Sequence, residues 1–161
     1  MESSSPTATD ADKQEVVNLC VRILETLKLG GAAGREQFLA TLAPYGTACH
    51  ARAMVNKGFE HEQFPHGFAN RMPWDSIEDG ELEEGLDGKP TVLIDRDLAM
   101  VWTPYWFTRK GALTHLGTNC FTLIKAAWDE SLPQKVEWKI CSLTDTARPP
   151  TEEDRKRLGK E

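Results

Sequence analysis

A chain of 161 residues with 40% hydrophobic and 27% charged side chains can bury one real core and is too apolar for a disordered or fibrous chain. Its 19 basic side chains against 25 acidic ones leave a net charge of -6, which excludes the basic footprint behind non-specific binding to nucleic acid or an anionic membrane surface. The first ten residues hold neither the basic nor the apolar part of a secretory signal, and no apolar run approaches the roughly 20 residues that cross a bilayer.

A cytoplasmic protein is therefore expected. Its cysteines, Cys20, Cys49, Cys120 and Cys141, form no C-x-x-C pair and read as reduced thiols.

Residues 1–11 are Ser/Thr-rich and read as a solvated tail. Over 12–29, Val16, Leu19, Cys20, Ile23 and Leu27 recur at helical spacing, Asp12-x-x-Glu15 fits a capping box, and Gly30-Gly31 stops the run. A shorter helix is predicted over 35–43, with Phe38, Leu39 and Leu42 on one face and Pro44 beyond its end. Weak alternation through Cys49, Ala51, Ala53 and Val55 predicts a strand over 45–56, followed by a loop over 57–67 that carries His61 and His66. Between Asn70 and Asp87, Met72, Trp74, Ile77 and Leu82 stand among seven acidic residues, the pattern of a short amphipathic helix with a solvated face.

From Lys89 the apolar period shortens from 3.6 to 2, and strands are predicted at 90–95, 98–108, 112–125 and 136–146. The two central strands are far longer than the usual five or six residues, so they must bend or bulge. Residues 149–161 are charged with a single leucine and read as a second tail, which places the domain at 12–148. Helices followed by hairpin-linked strands make an α+β fold, with the helices packed on one face of a strongly curved mixed or antiparallel sheet. Over 98–108 both faces are apolar: Ala99, Val101, Thr103, Tyr105 and Phe107 point one way, Leu98, Met100, Trp102, Pro104 and Trp106 the other. A small domain covers one such face with its own helices, so the second predicts a homodimer.

This element order resembles the nuclear-transport-factor-two-like superfamily of cone-shaped α+β proteins. The likeness spans residues 12–148. It is carried by Asp97-Leu-Ala99-Met-Val101-Trp-Thr-Pro-Tyr105-Trp-Phe107, Gly111-x-x-x-His115-x-Gly117-x-Asn119-x-Phe121-x-Leu123, Trp138-Lys-Ile140 and Asp145-Thr-x-Arg148. Within the superfamily the run is similar to short proteins labelled SnoaL-like or lumazine-binding. The resemblance implies a cone with an internal pocket between sheet and helices, and often a dimer on the outer sheet face. It implies no single reaction, because the fold hosts isomerases, cyclases, dehydratases, transport adaptors and binding domains.

His115, Gly117, Asn119 and Phe121 share one face of their strand, with His115 and Asn119 about 13 Å apart and a notch at Gly117 between them. Polar groups on an apolar concave face are the expected lining of a small-molecule pocket. His115 is the candidate general acid or base, Asp145 its carboxylate partner, and Tyr105 an oxyanion donor. Asn119, with the aromatic side chains Trp74, Trp102, Phe121 and Trp138, is expected to bind the ligand. The alternative is that His115 and Tyr105 are satisfied core groups, that Asp145 closes a turn, and that Trp74, Phe121 and Trp138 simply fill the core. Cys120 stands five residues from His115, on the opposite strand face, and makes no nucleophile pair with it.

No metal is expected, since His61, Glu62, His66 and the acidic run 75–87 match no ligand spacing, and the absence of a Gly-rich phosphate loop leaves no cofactor expected. The functional expectation is a small-molecule-binding protein that acts, as an isomerase, cyclase or dehydratase, by proton transfer on an apolar oxygenated metabolite. Its alternative is a non-catalytic ligand-binding or dimerisation module of the same fold.

Overall fold

Thr9 starts the first helix. Its hydroxyl accepts from the Asp12 N–H at 3.2 Å while the Asp12 carboxylate accepts from the Thr9 N–H at 2.8 Å, so the capping box sits three residues ahead of the predicted Asp12–Glu15 pair. These bonds hold the Asp12 carboxyl below the usual carboxylate range. The computed structural model describes residues 8–54, 58–62 and 69–160, with backbone alone described at 52–54 and 58–62. Helix α1 (Asp10–Leu29) buries Val16, Leu19, Cys20, Ile23, Leu24 and Leu27, one face of a 3.6 period.

Gly30 stops the first helix as expected, and a second helix follows at once. Gly30, at φ +60°, closes α1 and opens α2 (Gly31–Ala40), and a Cβ there would lie 2.5 Å from the Ile77 carbonyl oxygen. The second helix therefore begins four residues earlier than its apolar pattern suggested.

Strand β1 (Leu42–Met54) runs through Pro44, and β2 (Gly58–Glu62) pairs antiparallel with it where a loop was expected. His61 and Glu62 thus belong to a strand, and His66 lies outside the described residues. The predicted acidic helix is also replaced: a single 3₁₀ turn spans Trp74–Ser76, and β3 (Leu82–Leu86) pairs with β5. Helical periodicity there was an accident of wide spacing. Two of the acidic residues are tied to partners, Glu81 to Arg109 at 3.0 Å and Glu83 to Lys28 at 3.1 Å, while Asp75, Glu78 and Asp79 are exposed.

The four C-terminal strands follow the sequence closely as β4 (Thr91–Asp95), β5 (Leu98–Arg109), β6 (Ala112–Ala127) and β7 (Val136–Asp145). Arg96 and Lys110, at φ +55° and +52°, take the left-handed positions of the two tight hairpins between β4, β5 and β6. Among the described residues the sheet has seven strands in the order β2-β1-β7-β6-β5-β3, with β4 sharing the β5 edge. Strands β1 and β7 run parallel and the other described pairs antiparallel, so the sheet is mixed. Register shifts at Phe107/Thr108 and Thr122/Leu123 are the bulges that strands of this length require.

The helices cover one face. Ala99, Val101, Phe121, Leu123, Trp138 and Ile140 meet α1, Phe38 and Trp74 in one continuous core. The other face of β5 leaves Leu98 at 52% and Trp102 at 47% exposure, beside Leu93 of β4 at 60%. Among the described residues no helix is long and apolar enough to cross a membrane.

The charged end expected as a tail carries helix α3 (Glu152–Leu158). A second capping box, Thr151 with Asp154, opens it. Arg148 grips the Asp154 carboxylate through two nitrogens at 2.7 and 3.0 Å, Arg157 reaches Asp87 at 2.8 Å, and the Lys160 ammonium sits 3.9 Å over the Trp106 ring. These partners were invisible to a reading in which charge alone signalled solvation.

Candidate functional site

Two strand registers place the site. Parallel pairing sets His50 of β1 opposite Asp145 of β7, and antiparallel pairing sets Asp145 opposite Asn119 of β6. Directly opposed residues share a sheet face, so the three side chains stand in one row. That row continues to Thr103 of β5, and two residues along β5 comes Tyr105, opposite Gly117.

Between this row and α1 lies a cavity of about 240 Å³. Its apolar walls include Ile23, Leu24 and Leu27 of α1 with Phe38, Met72, Leu82, Phe107 and Leu143, and its polar lining is His50, Glu84, Tyr105, His115, Asn119 and Asp145. A few convergent polar groups in an apolar concavity are what a small-molecule site needs.

The His50 Nδ1 stands 2.7 Å from Asp145 Oδ1, with the two side chains 25% and 12% exposed. A carboxylate that accepts an Nδ1 proton favours the imidazole tautomer in which Nε2 is the basic nitrogen. The Tyr105 hydroxyl lies 2.8 Å from the Thr146 carbonyl oxygen and 3.3 Å from Asp145 Oδ2. On the β3 side, the Asn119 amide donates to Glu84 Oε1 at 2.6 Å.

His115, Asp145, Tyr105 and Asn119, all singled out from the sequence, line this one cavity. The pairing differs from the expected one. The imidazole placed on Asp145 is that of His50, whereas His115 stacks on Phe107 with ring centres 4.7 Å apart, meets the Tyr105 ring edge-on at 5.7 Å, and has Nδ1 2.9 Å from the Thr114 hydroxyl.

The aromatic residues expected to bind a ligand are placed elsewhere. Trp102 stands on the outer face of β5, because even-numbered residues of that stretch point away from the helices. Phe121, Trp138 and Trp74 are buried in the core at 0%, 6% and 3% exposure, and the Trp74 indole donates to the Ala69 carbonyl at 2.6 Å.

His50 and Glu84 were missed. Alternation in the β1 stretch was read on the odd residues, whereas Ala48 and His50 face inward with the even set. Glu84 was assigned to a solvated helix face. Nothing in one sequence signals the parallel β1–β7 pairing that brings His50 to Asp145, since it joins residues 95 positions apart.

Burial pushes the Cys20, Cys120 and Cys141 thiols up, away from thiolate chemistry. Among the described residues no group of three His, Cys, Asp or Glu side chains is placed to hold a metal ion.

No family model and no curated protein matches this chain. Solved structures do. A protein of unknown function with a cystatin-like fold from Nostoc punctiforme superposes with a TM-score of 0.65 at 13% identity, covering 92% of this chain and 99% of that one. An NTF2-like protein of unknown function from Pseudomonas putida gives 0.63 at 12% identity, over 92% and 94% of the two chains. An NTF2-like family protein from Streptomyces avermitilis, provisionally named a dehydratase, gives 0.59 at 14% identity over 88% and 98%. At these identities the likeness is one of fold, and the chain has the NTF2-like, cystatin-like fold.

Proposed function

We propose that this protein binds a small, largely apolar, oxygenated molecule in the cavity and moves a proton on it through His50, oriented by Asp145. The observation that carries the reading is the 2.7 Å contact between His50 Nδ1 and Asp145 Oδ1 on the wall of a cavity of about 240 Å³. An imidazole oriented by a carboxylate on the wall of a cavity is suited to act as a general base. Isomerisation, cyclisation and dehydration can each begin with such a proton abstraction beside an oxygen function, and the dehydratase name of the Streptomyces avermitilis protein belongs to that class. His115, on the same lining, is the second candidate for proton transfer.

The reading also carries a homodimer through the outer β5 face, supported by the exposure of Leu98, Trp102 and Leu93. A cytoplasmic location goes with it, supported by four cysteines with no disulfide among the described residues.

Tetralone, a bicyclic ketone small enough for the cavity, tests the chemistry without knowledge of the natural ligand. In deuterated water the wild-type protein is expected to accelerate exchange of the hydrogens beside the carbonyl, and His50→Gln to lose at least tenfold of that rate. Exchange unaffected by His50→Gln overturns the assignment.

A further inference from the structure

After β7 the chain does not leave the sheet. The Thr146 N–H donates to the Thr118 carbonyl at 3.0 Å, the Thr118 N–H donates to the Thr146 hydroxyl at 3.1 Å, and Leu116 and Arg148 exchange two main-chain bonds at 2.7 and 3.1 Å. Residues 146–148 thus form a strap along β6, which α3 fastens through Arg148–Asp154 and Arg157–Asp87. Gly117 makes the close approach possible, since a Cβ there would lie 1.9 Å from the Thr146 carbonyl oxygen and 2.9 Å from the Tyr105 ring.

The strap ends on the candidate site. A tyrosine hydroxyl has one proton to donate, and among the described residues two acceptors compete for it. The Thr146 carbonyl at 2.8 Å is closer than Asp145 Oδ2 at 3.3 Å, and hydrogen bonds weaken steeply beyond normal O–H···O lengths.

We propose that the C-terminal strap positions the acid–base site: held by α3 and admitted by Gly117, the Thr146 carbonyl takes the Tyr105 proton and withholds it from Asp145. Two consequences follow for the reading given above, on which this inference rests. With the strap docked, Tyr105 meets a ligand as an acceptor, able to orient an incoming hydroxyl and unable to stabilise an oxyanion. Asp145 then directs its charge at His50 without a phenolic donor to share it. With the strap released, Tyr105 turns its proton to Asp145, which gains a donor to its ionised form. Tyr105 and Gly117 thereby become positioning residues for His50, together with Asp154 some distance along the chain.

The test uses ligand-free protein, so it is independent of whether the cavity performs proton transfer. The chain holds two tyrosines, Tyr105 and the half-exposed Tyr45, so carbon-13 labelling at the phenol carbon gives two resonances, assigned with Tyr105→Phe. Asp145 carboxyl carbon titration is followed alongside. Among the described residues, the titratable groups that line the cavity with Asp145 are His50 and Cys49 from β1, Tyr105 from β5, His115 from β6 and Glu84 from β3.

Two variants release the strap by different contacts. Gly117→Ala pushes the Thr146 carbonyl away, and Asp154→Ala breaks the capping box and the contacts of Asp154 with Arg148 and Arg157, leaving Arg157–Asp87 in place. Each is expected to shift the Tyr105 resonance, leave Tyr45 unmoved, and lower the Asp145 midpoint, because an added hydrogen bond favours the charged carboxylate. Asp154→Glu, which keeps the capping box and the charge, is expected to retain the wild-type signature. An unshifted Tyr105 resonance in either folded variant overturns the proposal. A shifted one with a raised or unchanged Asp145 midpoint overturns it as well.

Discussion

His50 and Asp145 meet only because β1 lies parallel to β7 in a single register, His50 opposite Asp145. Removing one partner tests that dependence at the level of one bond. Asp145→Asn presents an amide in place of the carboxylate, so the imidazole loses its tautomer preference, and proton exchange on tetralone is expected to fall at least tenfold with the fold intact by circular dichroism. Thr103 ends the same cross-strand row differently. Its hydroxyl is buried at 1% exposure with no partner among the described residues, and an unpaired buried hydroxyl costs about 1–3 kcal/mol. Thr103→Val keeps the shape and deletes the orphan, so its urea midpoint is expected to rise; a fall would mean that Thr103 has a partner in solution. His115, Tyr105 and Asn119 were legible in the sequence because each sits at an inward position of an alternating strand, and Asp145 by its place in the last strand, where the register shift between Ile140 and Ser142 turns the odd residues inward. His50 was not, because alternation in β1 is weak and its inward set is the even one. Trp102 shows the opposite failure: aromatic character suggested ligand contact, but strand parity turns it outward.

Helix α3 is an element that sequence periodicity could not find. Thr151-x-x-Asp154 is a legible start signal, yet a seven-residue helix with Leu158 as its one large apolar residue has no face to bury, and its stability comes from ionic partners on other elements. The Asp154 carboxyl is held far below the usual carboxylate range, first by hydrogen bonds from Arg148 and then by those from Thr151, and Asp87 is held down by Arg157. A carboxylate depressed in the folded state stabilises above its unfolded pKa of about 3.9 and loses that contribution as pH falls through its folded value. Docking of α3 is therefore expected to weaken progressively as pH falls below about 4, measured as falling amide protection over 152–158, relative to an unstructured chain at the same pH, while β6 stays protected. Protection over those residues that is unchanged between about pH 6 and pH 2 would contradict the role given to these pairs. At β3 the lesson is similar. Acidic residues mimicked a solvated helix face, whereas the strand is imposed by its ladder with β5 and by the close contact of Gly85 with the Trp106 ring.

On the scale of the whole molecule, the hairpin-linked strands β4 to β7 and the leading helix were all read correctly from period and turn residues, because local pattern and final burial agree there. The sheet order was not readable, since it depends on the single parallel pairing of β1 with β7. The two apolar faces of β5 divide as expected into a core face and an exposed one, and the exposed face predicts association. Trp102→Asp is expected to turn a dimer into a monomer in sedimentation velocity at unchanged helix and strand content. A wild-type monomer at high micromolar concentration would remove that face from consideration. Phe121→Ala, on the core face, is instead expected to cost about 3–5 kcal/mol in urea unfolding, as for a fully buried aromatic side chain.

The central claim is that the cavity under α1 holds a small molecule. Native mass spectrometry of the freshly purified protein, with solvent extraction of what it releases, tests this most directly when wild type is compared with Leu24→Trp, which fills the cavity from α1. The account predicts a bound mass of about a few hundred daltons on the wild type, the size such a volume admits, or its appearance after incubation with apolar oxygenated compounds, and its absence from the folded variant. A wild type that binds none of them, or a variant that binds as well, would contradict it.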